Sequence, residues 1–202
     1  MKKYMIYFIG LLSLGLGITL NTKSGLGVAS FSTLPYSLSH LTFLSFGQAN
    51  ILIYLLLVFL QVIIERKITI SFLLEIPFSF VFGFVIDLYQ MLIPVLTYNL
   101  LIQIITLIIG NTCCAIGVYL MIQTNLVVTP VDGFVGTLSH ILKKPYSLCK
   151  NLFDLSLISI TCIVCLCCHS PFYGIGIGTL FSALYVGRMI KVCESHMCFS
   201  FA

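Results

Sequence analysis

Between residues 4 and 190 the chain is an almost unbroken succession of apolar runs, each close to the roughly 20 residues that an α-helix needs to cross a bilayer's hydrocarbon core. They lie at about 4–22, 47–64, 70–94, 99–123, 148–168 and 172–190, so six helical spans are expected. The first run follows Lys2 and Lys3 as the apolar region of a secretory signal would. The stretch Asn21-Thr22-Lys23-Ser24-Gly25 then follows with no small-x-small cleavage site, and the run is read as a span. Charged residues make up only 8% of the chain, where soluble domains carry roughly a quarter. A single integral membrane domain over residues 1–202 is expected, with no room for a separate soluble one.

The run is interrupted at residues 124–147, TNLVVTPVDGFVGTLSHILKKPYS, and that interruption has an echo 100 residues earlier. Without a gap, Gly17 aligns with Gly117, Leu20 with Leu120, Leu26 with Leu126 and Val28 with Val128. Leu38-Ser39-His40 aligns with Leu138-Ser139-His140, and Leu52 with Leu152. This is the mark of two related halves, about 4–95 and 99–192. Three spans per half is an odd number, so the second half enters the membrane from the opposite side and the repeat is inverted. The segments at about 30–43 and 130–144 are too short to span and read as interrupted or re-entrant helices. Thr129 is placed to cap the second, with Pro130 at its first position and Asp132 in its first turn.

Orientation follows from the basic residues, which are retained on the cytoplasmic side. With the N-terminus inside, Lys2, Lys3, Arg66, Lys67, Lys143, Lys144, Lys150, Arg188 and Lys191 are internal and only Lys23 is external. Both termini are then cytoplasmic, in a cell (plasma) membrane. Tyr4, Tyr7 and Tyr146 near inner ends, and Tyr89, Tyr98 and Tyr173 near outer ends, suit interfacial belts.

The Gly-rich GLGITLNTKSGLGVAS, the two LSH segments, TPVDGFVGTLSH and the late GIGIGT, taken in order over roughly residues 10–190, resemble the YczE/YyaS/YitT group of bacterial integral membrane proteins. The resemblance implies a multi-span bundle and no particular activity. The second half departs from the group's pattern, with Asn125-Leu126-Val127 where Gly-Leu-Gly often recurs.

Ionisable groups at membrane depth cost roughly 2.5–3.5 kcal/mol each on insertion scales, so those present are informative. Glu75, two residues before Pro77, is either a functional carboxylate or one that snorkels toward Arg66 and Lys67. Asp87, about three turns on, is either a second such group or an outer cap. Asp132 is a helix cap or a site residue. Asp154 sits at i+4 from Lys150 and suits a local ion pair, and Arg188 suits an interfacial anchor. His40 and His140 hold equivalent places in the two interrupted segments and are expected to flank one shared polar cavity. The N-terminus of the second segment, Thr129 to Gly133, could offer free N–H groups to an anion.

Cys162, Cys165, Cys167, Cys168 and His169 do not share one helical face, and the tail Cys193-Glu194-Ser195-His196-Met197-Cys198 lacks paired CxxC spacing, so no metal or other cofactor is expected. Gly174, Gly176 and Gly178 lack a strand–loop–helix context for a dinucleotide. They read as close-packing residues, as do Ser13 with Gly17 and Ala183 with Gly187. No P-loop, HExxH, GxSxG or basic stripe is present, and neither an enzyme nor a nucleic-acid binder is expected.

The expected fold is an all-α membrane protein, a six-span bundle of two inverted three-span repeats with short interrupted helices. The expected function is a secondary transporter or permease for a small solute, with Glu75, Asp87, Asp132, His40, His140 and Thr129 as candidate substrate- or ion-binding residues. The alternative is a non-transporting membrane protein that assembles with or regulates a partner, or with further copies of itself.

Overall fold

A computed structural model describes residues 2–67, 69–95, 99–124 and 126–196. Tyr98, Asn125, Met197 and Cys198, and the side chains of Lys2, Lys191, Glu194 and His196, lie outside what is described. Among the described residues the chain forms eight α-helices and no strand. These are α1 (Lys2–Ser24), α2 (Thr33–Leu41, entered through a 3-10 turn at Ser30–Ser32), α3 (Phe46–Glu65), α4 (Ile70–Leu92), α5 (Leu100–Thr124), α6 (Pro130–Leu142), α7 (Tyr146–Cys167) and α8 (Ile177–His196).

Five of them, α1, α3, α4, α5 and α7, are long and apolar enough to cross a membrane. The sixth expected run is shorter as a helix, its apolar helical stretch being Ile177–Ile190. Its start is delayed because Pro171 to Gly176 form a turn, with Gly174 at φ +75°. The spans keep large apolar side chains such as Phe59, Phe84 and Leu101 exposed, as a lipid-facing surface requires.

Local chemistry sets the helix ends. Ser45 and Gln48 form a reciprocal capping box at the start of α3, and the helix stops at Arg66 in the left-handed region at φ 52°. Thr129 caps α6 as its sequence predicts, the side chain accepting from the Asp132 N–H, with Pro130 at the first helical position. Lys143, also at φ 52°, ends α6.

The chain contacts divide into two compact units that do not coincide with the two sequence halves. The first draws on Met1–Ser30, Val85–Leu126 and Gly174–Ala202. Here α1 and α5 run antiparallel at backbone contact. A Cβ at Gly17 would lie 2.5 Å from the Gly110 carbonyl oxygen and 2.6 Å from the Cys114 nitrogen. A Cβ at Gly10 would lie 3.0 Å from the Gly117 oxygen, and one at Gly117 would lie 2.7 Å from the Gly10 oxygen. Only residues without a side chain permit that approach. Ser13 Oγ donates to the Cys113 carbonyl, and Asn21 Nδ2 to Asn111 Oδ1 at 3.0 Å in a fully buried pair.

The late glycines pack as expected of small residues, Gly174 and Gly176 in the turn before α8 and Gly178 in its first turn. Val28 N–H donates to the Gly174 carbonyl, and Gly178 N–H to that of Leu26. The expected role of Ala183 and Gly187 is not met at Gly187, where an added Cβ would meet open space.

The second unit draws on Phe31–Phe84 and Val127–Tyr173. Each short helix packs on both long ones, α2 on α3 and α7 and α6 on α3 and α7. Phe78 and Phe82 stack, and Phe82 stacks in turn on Tyr54. An apolar cleft of about 400 Å³ lies among these helices, lined by residues such as Ile53, Leu57, Leu138, Phe153 and Leu157.

Candidate functional site: a buried carboxylate and its polar surround

Glu75 is the most deeply buried acid among the described residues, 1% exposed in the half of α4 that belongs to the second unit. It does not snorkel toward Arg66 or Lys67. Its Oε2 accepts from Gln61 Nε2 of α3 at 2.9 Å, and the same amide nitrogen reaches the Pro130 carbonyl of α6 at 3.4 Å. Pro77 has no N–H for the Leu73 carbonyl, and Ser79 Oγ donates to the Glu75 carbonyl at 2.7 Å. Gly133 lets α6 come against this pair. A Cβ there would lie 2.6 Å from Glu75 Oε1 and 3.0 Å from Gln61 Oε1. Gln61 is fully buried and its Oε1 has no hydrogen-bond partner.

One residue before Gly133, Asp132 anchors a second cluster. Its Oδ2 accepts from Thr129 Oγ1 at 2.8 Å, while its Oδ1 accepts from Tyr146 Oη at 2.9 Å and from Lys150 Nζ at 3.2 Å. Lys150 also stands 3.9 Å from Asp154 and 5.5 Å from the centre of the Phe31 ring. Burial alone would raise the Asp132 carboxyl, but the Lys150 charge and the bonds from Thr129, Tyr146 and Lys150 outweigh it and hold it below the ordinary aspartate range. Burial, and then the Asp132 charge, push the Tyr146 phenol up, so it remains a donor. A turn further along α6, Thr137 Oγ1 donates to Glu65 Oε1 at 2.9 Å. Two ladders of polar contacts thus tie α6 to α3 and to α7.

The candidate residues from sequence are only partly brought together. Glu75, Asp132 and Thr129 converge around the first turn of α6. Asp87 lies in the part of α4 assigned to the first unit. The shared histidine cavity is corrected. His40 and His140 are both exposed near the ends of α2 and α6. His40 stacks on Tyr173 at 4.6 Å and meets Tyr36 edge-on, and neither histidine lines the apolar cleft.

The expectation of free N–H groups for an anion is also corrected. The Asp132 and Gly133 N–H groups are already bonded to Thr129, and the Asp132 carboxylate occupies the first turn. The Lys150–Asp154 pair exists but is the longer of the two contacts Lys150 makes. In the cysteine-rich end of α7, Cys165 is buried while Cys167 and Cys168 are exposed.

Gln61, Gly133 and Lys150 were missed as site residues. An amide in the middle of the apolar run LLLVFLQVII was the available signal for Gln61, because a neutral polar side chain at that depth also needs a partner.

The helices and this cluster point to a class, a helical membrane protein with a carboxylate held among its spans. The chain belongs to the family described as "Family of unknown function (DUF6198)", which matches residues 1–195. It is similar to the "Uncharacterized protein YyaS" of Bacillus subtilis (strain 168), with 32% identity over 193 residues, 94% of this chain and 91% of that protein. No solved structure matches it.

Proposed function

We propose that this protein is a permease for a small solute in the cell membrane, built from two inverted three-span halves, with α8 as the sixth span and both termini cytoplasmic. The observation that carries the reading is Glu75, a carboxylate with 1% exposure inside a span, met by an uncharged amide rather than a cation. Such a group is costly in a membrane and marks an ion or substrate path in many carriers. Its neighbour α6, 13 residues long, is an interrupted helix of the kind that builds carrier sites.

The inverted repeat is supported by reciprocity at a spacing of 100. Gly10 faces Gly117 while Gly17 faces Gly110. Likewise Thr161 donates to Thr33, while Gln61 meets Gly133, the residue equivalent to Thr33. A buried carboxylate in the path favours a neutral or cationic solute over an anionic one.

Flux across proteoliposomes tests the reading with a panel of small amines, sugars and amino acids. Uptake of at least one should be abolished by Glu75→Gln while the protein remains folded. Uptake unchanged in that variant would sink the role of Glu75, and no uptake of any panel member by wild type would favour a protein that acts only through a partner.

A further inference from the structure

We propose that Glu75 and Gln61 form a reciprocal acid–amide pair that the site completes by binding a proton on Glu75. The donors and acceptors do not balance otherwise. Gln61 has two N–H donors, directed at Glu75 Oε2 and at the Pro130 carbonyl. Its own carbonyl oxygen, in a side chain with no exposure, accepts nothing. That oxygen and Glu75 Oε1 sit against the same point of the chain, the Gly133 Cα, within 3.0 and 2.6 Å of where a Cβ would stand. A carboxylate at Glu75 offers Gln61 Oε1 only another acceptor. A carboxylic acid there offers a donor on that side, and the two groups then exchange hydrogen bonds both ways.

The surrounding charges do not supply an alternative. On α6, Asp132 is taken by Thr129, Tyr146 and Lys150, and on α3, Glu65 is taken by Thr137. On α7, Lys150 is taken by Asp132 and stands nearest Asp154 thereafter. Among the described residues Glu75 makes no ion pair. Gly133 has a specific role in this arrangement, since any side chain would begin 2.6 Å from one of these oxygens and 3.0 Å from the other.

The pair stands on this geometry alone. Its consequence, that the ion coupled to solute movement is a proton, rests on the permease reading. Infrared spectroscopy of the protein in bilayers at pH 7 separates the two. A carboxylic-acid C=O band should be present in wild type, should shift in D2O, should persist in Asp132→Asn and should be lost completely in Glu75→Gln. Gln61→Leu should move the band to higher frequency if it still folds, and wild type with and without sodium provides a measurement that needs no variant. Absence of the band in wild type, its survival in Glu75→Gln, or its disappearance on adding sodium would overturn the proposal. Flux without the band removes the proton and leaves the permease, whereas the band without flux removes the permease and leaves the pair.

Discussion

The two short helices α2 and α6 carry Thr33 and Gly133, 100 residues apart, and these two positions meet their neighbours with different chemistry. At the start of α2, Thr33 meets Thr161 of α7 through a hydroxyl–hydroxyl contact of 3.3 Å, fully buried and uncharged. At the matching place on α6, Gly133 meets Gln61 of α3, and the space left by the missing side chain holds the carboxylate of Glu75. One contact is a buried pair of hydroxyls, and the other buries an acid and an amide. The difference lies in single residues at the contact, Thr33 and Thr161 in one case and Gly133, Gln61 and Glu75 in the other.

Importing the first half's residue is the most disruptive way to break this comparison. Gly133→Thr places a Cβ 2.6 Å from Glu75 Oε1 and forces the pair apart. Overpacking of this kind costs typically about 1–3 kcal/mol. A drop in melting temperature together with loss of flux is expected, and a variant as stable as wild type would mean that the space beside Glu75 is not needed.

Next comes the charge cluster that α6 carries and α2 lacks. Lys150→Met leaves Asp132 with hydroxyl donors alone, and stability should fall by about 2 kcal/mol, as for a charged group stripped of a partner. Because the folded Asp132 lies below its ordinary value of 3.8, its contribution is present above that pH and is lost as pH falls through the lower folded value. Thermal melts across pH 2–7, a range set around the ordinary aspartate value of about 3.9, should show this acid limb in wild type and not in Asp132→Asn. An identical limb in the variant would assign it to another carboxylate.

The smallest effect is expected on the neutral side. Thr33→Val removes the hydroxyl that meets Thr161, a bond of about 1 kcal/mol, and leaves Thr161 bonded to the Leu157 carbonyl. Flux should be unchanged. A loss of flux as large as that of Gly133→Thr would mean that both halves carry the site.

Sequence by itself determined the long helices to within a few residues, because hydropathy over about 20 residues is a local quantity and bilayer thickness fixes its scale. It likewise determined the start of α6, since a Thr-Pro cap acts through bonds within one turn. It singled out Glu75 and Asp132 because any charge in such a chain stands out. The partners were decided elsewhere. Gln61 reaches Glu75 from another helix, and Lys150 reaches Asp132 across 18 positions rather than turning only to Asp154 four positions away. In spans that are apolar on every side, periodicity does not say which face meets a neighbour. His40 and His140 show the same limit, equivalent in sequence and both exposed, since what a short helix end faces is set by its neighbours. Only tertiary packing, through the backbone approach at Gly133, brought an amide and a carboxylate to one point.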